Sequence, residues 1–298
     1  MATRKVWYTL SAVLMVVSFA SFVIRGLNFA IDFTGGISIE ASFPTDANVE
    51  KIRAAVATAG YHEPQVQTFG SVRDIAIRLP PTGETAEVLR PKFQKILTGM
   101  DPKAQITKLE VVGPQVGEEL RNSAILSLLI TLVLIAGYII LRSHTWRLSL
   151  GAILAVMHDP ILVLGVFSIT QTLFDLAVVA GILAVIGYSL NDTVIVFDRI
   201  RENFEKNRRQ ASNITLDQAI NQTLSRTIMT KVVTSIVVVA LLLLGGSALR
   251  GFSEALLIGI IAGTYSSIYI SSAIALSCGL KAEHVFPPAR KDPIDELP

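Results

Sequence analysis

The sequence contains one cysteine, Cys278, and four histidines among 298 residues. A single cysteine excludes an intrachain disulfide and a cysteine-based metal cluster. His62, His144, His158 and His284 are scattered without metal-ligand spacing, so no metal site is read. Charge is scarce too: 17% of residues are charged against 51% hydrophobic, and the net charge is only +2. A soluble domain is not this poor in charge, whereas a multi-spanning membrane chain is. No phosphate-binding glycine loop or serine triad occurs, and no basic run is interleaved with aromatics. The chain is therefore read as neither a covalent catalyst nor a nucleic-acid binder. No repeat of solenoid period and no low-complexity linker interrupts it.

What the chain does have is long apolar runs. Six are long enough to cross a bilayer, which takes about 20 residues: Trp7–Ile24, Ser123–Leu141, Leu148–Ile169, Leu176–Val196, Val232–Leu244 with its flanks, and Phe252–Leu276. The first follows a basic "MATRK" but is too long for a signal peptide and lacks a clear small-residue cleavage site, so it is read as a retained span. Arg and Lys concentrate before span 1 and in the connections between spans 2 and 3 and between spans 4 and 5. They recur after span 6, as Lys281, Arg290 and Lys291. By the positive-inside rule both termini are cytoplasmic, and the long segment between spans 1 and 2 is outside.

That outer segment, residues 36–113, carries its own patterns. "ISIEASF" alternates apolar and polar residues, as a half-buried strand does. Thr45 is the expected cap of a helix bearing Val49, Ile52 and Val56, which Gly60 ends. "PQVQTFG" and "RDIAIRLP" flank a Gly70-Ser71 turn and predict a hairpin. A second helix runs through Leu89, Phe93 and Ile96, with Pro91 expected in its first turn. "AQITKLEVV" is the last strand. The order β-α-β-β-α-β is the ferredoxin-like arrangement. The fold class expected is an α-helical polytopic membrane protein with six transmembrane helices and a small α+β ferredoxin-like extracytoplasmic domain between helices 1 and 2. Its parts are residues 1–35 (tail, span 1 and linker), 36–113 (outer domain), 114–280 (the remaining spans) and 281–298, a polar, proline-rich tail expected to be disordered.

Three ionisable residues stand where charge is costly. Asp192 lies inside span 4, and a central Asp costs roughly 3 kcal/mol on insertion scales. Tyr188, four residues earlier, is expected on its face as a donor, and Asn191 adjoins it. The alternative is a helix that ends early and leaves Asp192 wet, although "TVIVF" continues the apolar run. Asp198 and Arg199 read as interface residues. Arg226, in "TLDQAINQTLSRTIMTKVV", enters span 5 with Lys231 near the depth of Asp192. It is either an interface anchor or half of a buried pair with Asp192, its occupancy set by protonation. The apolar stripe Leu216, Ala219, Ile220 and Leu224 ahead of it lies either on the membrane surface or between helices. Asp159, beside His158 and the helix-breaking Pro160 in span 3, either lines a pathway or sits neutral in a packed bundle. In span 6, Gly259, Gly263, Ser267 and Ser271 recur every four residues and predict a close helix contact.

The motifs "NFAIDFTGG", "VVGPQVGEELRNSA", "HDP", "AVIGYSLNDTVIVFDRIRENF", "TLSRTIMT" and "LRGFSEALLIGIIAGTYSSIYI" together resemble the SecF family, over nearly the whole chain. The resemblance implies half of a resistance-nodulation-division exporter, completed by SecD. The pair would use the proton-motive force to help draw preproteins from the SecYEG channel on the outer side of the bacterial cytoplasmic membrane. It implies SecD, SecYEG, the translocating preprotein and the lipid bilayer as partners, with YajC as a further candidate. Protons are the coupling ion, and no other cofactor is implied. The family's proton-linked Asp and Arg fall on Asp192 and Arg226, and Asp159 matches in motif. Asp32, Gly35 and Gly36 of "DFTGG" are expected to be structural, with Asp32 bonding the glycine-rich turn. Two other readings are weighed. An independent exporter of small molecules or lipids usually carries twelve spans and two large outer domains. A purely structural scaffold has no need of Asp159, Asp192 and Arg226 in costly positions.

Overall fold

The computed structural model describes Met1 and residues 4–69, 71–143 and 145–286. The chain begins with helix α1 (Arg4–Arg25), strand β1 (Asn28–Phe29), the short helix α2 (Ile31–Thr34) and strand β2 (Gly36–Ser42). Helix α3 (Val49–Thr58), the hairpin strands β3 (Gln65–Phe69) and β4 (Ser71–Leu79), helix α4 (Ala86–Thr98) and strand β5 (Gln105–Val112) follow. The rest is helical apart from one short strand: α5 (Pro114–Arg142), α6 (Trp146–Thr170), β6 (Leu173–Phe174), α7 (Leu176–Lys206), α8 (Ser212–Leu244) and α9 (Gly246–Tyr265). A π-helical turn (Ser266–Ile270), α10 (Ser271–Ser277) and α11 (Ala282–Val285) complete it. Among the described residues six helical segments are long and apolar enough to cross a membrane, and each contains one of the apolar runs read from the sequence. The Gly70 half of the expected turn, His144 and the tail beyond residue 286, with Arg290 and Lys291, lie outside the described residues.

The chain divides into two compact units. The smaller comprises residues 28–127 with 173–176, and is wider than residues 36–113. Its larger sheet has four antiparallel strands in the order β3-β4-β2-β5. The alternation of β2 sends Ile37, Ile39 and Ala41 to one face, where they meet Ile75, Ile77 and Leu79 of β4. Ile52 and Val56 of α3 and Leu89, Phe93 and Leu97 of α4 close over that face. Each such side chain contributes about 1.5–3 kcal/mol by leaving water. Two details differ from the sequence reading. Asn48, not Thr45, caps α3 and accepts from the Lys51 amide at 3.0 Å; the Thr45 hydroxyl points to Asp101 instead. Pro91 lies within α4, beyond its first turn. The carbonyl it strips of a donor, that of Glu87, belongs to an exposed residue that water can satisfy, while core residues on either side hold the helix.

The entry to this unit is built around glycine. Gly35 has φ +69°, and a Cβ there would sit 2.8 Å from the Pro114 Cα. A Cβ on Gly117, one turn into α5, would meet the Gly35 nitrogen at 2.7 Å. Gly36 has φ +129°, and its Cβ would lie 2.5 Å from the Leu79 carbonyl oxygen. Here the chain entering the sheet and the chain leaving it cross backbone to backbone. Beside the crossing, β1 pairs in parallel with β6. Phe29, Phe33 and Phe174 cluster with ring centroids 5.8–5.9 Å apart. Asp32 accepts at 3.1 Å from the amide of Leu176, the first residue of α7. It therefore ties the linker to that helix start rather than to its own glycine turn, a placement that also suits a carboxylate at the positive end of a helix.

The larger unit is a helical bundle in which small residues set the contacts. Ser18 of α1 fills the space over Gly165 of α6, and Ser21 bonds Ser168 at 2.8 Å. Gly151 of α6 lies against the Ser271 backbone, Gly181 of α7 against Ala255, and Gly259 of α9 against Val185. Gly263 faces polar atoms: a Cβ there would come within 3.3 Å of Asp159 Oδ2 and Ser189 Oγ. Ser267 and Ser271 are fully buried and return their hydroxyls to their own helix, to the carbonyls of Gly263 and Ser267 at 2.6 Å. The stretch ahead of span 5 is no separate surface helix. It forms the first turns of α8, with Leu216 and Ala219 completely buried between helices.

Gly36→Ala and Gly117→Ala should each destabilise the protein by about 1–3 kcal/mol through strain and overlap. Gly137→Ala, where a Cβ meets nothing within 4 Å, should not. Thermal unfolding of the purified protein in detergent measures this, and equal midpoints for all three variants would contradict the crossing.

Candidate functional site

Asp192 is 3% exposed in the middle of α7, and the wet alternative is excluded. Its partner is Lys231 of α8, itself 4% exposed, with Nζ 2.8 Å from Oδ2. The contact is an ion pair made off hydrogen-bonding angle, so neither atom has a hydrogen-bond partner. The ammonium also lies 4.4 Å above the Tyr188 ring, a cation–π contact. Removing one member of such a buried pair strands the other at a cost of about 3–5 kcal/mol.

Two expectations about Asp192 fail here. Tyr188 does not donate to it. Its hydroxyl reaches past to α8, donating to the Thr230 carbonyl at 3.0 Å and lying 2.8 Å from the Thr234 hydroxyl. Nor does Arg226 pair with it: Arg226 is exposed, as is Asn191. The reason is helical phase. Thr215, Ala219, Thr223, Thr227 and Lys231 recur every four residues and form the buried face of α8. Arg226 falls between those positions.

Asp159 of α6 is fully buried. Its Oδ2 accepts from Ser189 of α7 at 2.5 Å and from Ser266 at 3.0 Å. Its Oδ1 lies 3.0 Å from His158 Nδ1, and His158 Nε2 lies 2.7 Å from the Tyr265 hydroxyl. Three local features admit this cluster. Pro160 cannot donate to the helix ladder, which loosens α6 beside the acid. Gly263 leaves room above Oδ2. The π-helical turn opens at Ser266 and aims that hydroxyl at the carboxyl; such turns occur often at functional sites.

Ser189 stands three residues before Asp192, so one turn of α7 joins the two acids. One carboxyl is held against an ammonium, the other among two hydroxyls and an imidazole. Both carboxyls are buried within the bundle. Lys231 also borders an open groove of about 460 Å³ between α8 and α9, lined by Val232, Ser235, Ile260 and Thr264. Among the described residues no group of three His, Cys, Asp or Glu is arranged to hold a metal ion. Asp198 sits apart, paired with Arg142 at 2.7 and 2.8 Å, and Arg199 pairs with Glu202 at 2.8 Å. The sequence reading missed Lys231 as the partner, although the four-residue step of α8 marks it. It also missed Ser189, Ser266 and Tyr265, which no local pattern marks.

The same regions carry the similarity to known proteins. A family profile described as "Protein export membrane protein SecD/SecF, C-terminal" matches residues 92–281, and one described as "SecD/SecF GG Motif" matches residues 20–43. The protein translocase subunit SecF of Haemophilus influenzae is 46% identical over 298 residues, covering 100% of this chain and 91% of its own. That of Escherichia coli O157:H7 is 41% identical, covering 93% and 87%. The crystal structure of SecDF from Thermus thermophilus, described as translocon-associated, superposes with a TM-score of 0.85 at 35% identity. It covers 93% of this chain, which spans 38% of that one. Both the glycine crossing and the acid-bearing bundle fall within the matched residues, and the chain belongs to the SecD/SecF family of protein export membrane proteins.

Proposed function

We propose that this chain is a proton-motive-force-linked subunit of the Sec protein translocase, with no covalent catalytic site and protons as its coupling ion. The observation that carries the reading is the Asp192–Lys231 pair, buried within an apolar bundle one helical turn from the Asp159 cluster. A proton arriving on Asp192 removes the attraction that holds Lys231, and its departure restores it. Occupancy by a proton therefore changes which packing of α7 against α8 is favoured, and a gradient across the membrane turns that preference into a cycle. Arg226, exposed ahead of Lys231, is proposed to take part in another conformation of the cycle. Asp159 is proposed as a second proton-handling group.

The relatives named translocase subunits and the SecDF match support partnership with a SecD that supplies the remaining spans. We further propose that the assembly works with SecYEG, and with YajC as a further candidate, to release or pull the preprotein on the outer side. The chain would lie in the bacterial cytoplasmic membrane with both termini inside. The ferredoxin-like unit would then be outside, since the Arg- and Lys-rich connections fall on the opposite side.

Orientation is tested with Cys278 replaced by Ser and single cysteines introduced. A cysteine at Ser71 should react with an impermeant reagent from outside and one at Asn207 should not; the reverse labelling overturns the proposed topology.

The proton role is tested in vesicles carrying the assembled complex. Asp192→Asn should abolish stimulation of translocation by the gradient. It should also destabilise the chain by about 3–5 kcal/mol, because Lys231 is left unpaired. The double variant Asp192→Asn, Lys231→Met should recover most of that stability and still lack stimulation. Gradient-driven translocation at the wild-type rate in the double variant would refute proton coupling through this pair.

A further inference from the structure

We propose that His158 is a relay through which a proton reaches and leaves Asp159, with Tyr265 as its outer member. This rests on the proton-coupled reading above and adds two residues, His158 and Tyr265, to it. The observation is an unbroken chain of contacts across three helical segments. It runs from Ser189 and Ser266 to Asp159 Oδ2, from Oδ1 to His158 Nδ1 at 3.0 Å, and from Nε2 to the Tyr265 hydroxyl at 2.7 Å. Ser11 of α1, a buried hydroxyl, is a neighbour of the same phenol. His158 is 4% exposed, and both ring nitrogens are engaged, one by an acid and one by a phenol.

A neutral imidazole carries its proton on one nitrogen only, so the chain has two directions. With Asp159 ionised, Nδ1–H donates to Oδ1 and Nε2 accepts from the Tyr265 hydroxyl. With Asp159 protonated, its O–H donates to Nδ1, Nε2–H donates to the Tyr265 oxygen, and the tyrosine proton turns toward Ser11. Converting the first arrangement to the second requires one proton to enter at the tyrosine end. The Tyr265 oxygen accepts it and passes its own proton to Nε2, while Nδ1 passes its proton to Oδ1. One proton is gained at the carboxyl, no other group changes charge, and the reverse sequence releases it.

The surroundings leave the ring few competitors. On its own helix the titratable neighbour is Asp159, and α9 contributes Tyr265. The π-helical turn contributes Ser266 to Asp159 and the Tyr269 ring to a stack on Trp7. Helix α10 has no titratable side chain in its sequence. On α1, Tyr8 bonds Ser277 and Arg25 bonds the Ile169 carbonyl, while Arg4 and Lys5 stand at the helix start. On α7, Asp192 is engaged by Lys231.

The test uses the full chain in its complex in lipid vesicles, labelled with ¹⁵N at histidine. His158 is assigned by the signal lost in His158→Gln. Solid-state NMR should show the Nδ1-protonated ring at high pH converting to the Nε2-protonated ring as pH falls, and Asp159→Asn should freeze the ring in one form throughout. A ring that keeps one tautomer at every pH overturns the relay. In transport, His158→Gln and Tyr265→Phe should each slow gradient-driven translocation by about tenfold or more and shift its pH profile. Tyr265→Phe keeps the ring and its packing, so it decides the matter if His158→Gln does not assemble. If both run at the wild-type rate while Asp192→Asn is inactive, the relay is wrong and proton coupling stands. If Asp192→Asn is active as well, proton coupling itself fails.

Discussion

A buried ion pair is the constraint around which the contact of α7 with α8 is organised. Asp192 and Lys231 each require the other, because neither Oδ2 nor Nζ has a hydrogen-bond partner to fall back on. That requirement fixes the rotation of α8 about its axis, since only one face can present Lys231 to α7. The rest of the face follows. Thr223 returns its hydroxyl to the Ala219 carbonyl, Thr215 does the same with Ala211, and Ala219 packs without a gap. Tyr188 completes the arrangement by covering the ammonium with its ring while anchoring its hydroxyl to α8.

Asp159 solves the same problem by another route. Among the described residues no Lys or Arg pairs with it; two serines and an imidazole share its lone pairs. Charge-assisted hydrogen bonds of this kind stabilise a carboxylate without fixing it in that state. The two acids are thus held by different chemistry on adjoining helices, and Ser189 bonds one from a position a turn away from the other. In the smaller unit the controlling constraint is steric. Gly35, Gly36 and Gly117 allow two backbones to cross where any side chain would push them apart.

The spans were legible because hydrocarbon admits few sequences: a run of about 20 apolar residues has little else to be. The strands of the smaller unit were legible because one face is buried, so residues such as Ile37, Ile39, Ile75 and Ile77 keep the two-residue period. The errors came where two residues offer the same chemistry. Thr45 and Asn48 both can cap a helix, and only the angle at which the chain arrives decides between them. Arg226 and Lys231 both are cations at about the right depth. The four-residue step of α8 favours Lys231, while Arg226, the first cation met on entering the span, was given the pairing role. The Asp159 cluster was half visible, in His158, Asp159 and Pro160. Its other members, Ser189, Ser266 and Tyr265, come from distant segments, and nothing nearby in sequence distinguishes them from ordinary helix residues.

The π-helical turn at Ser266–Ile270 sets the angular register of everything after it. It holds one residue more than an α-helical turn would. Passing that residue to the next turn would rotate the downstream helix by about 100° and advance it by about 1.5 Å. Ser266 would leave Asp159, and the Tyr269 ring, now stacked on Trp7 with centroids 4.3 Å apart, would swing away from α1. One extra residue of backbone thus fixes the angle between the Ser266 contact with Asp159 and the Tyr269 stack on Trp7.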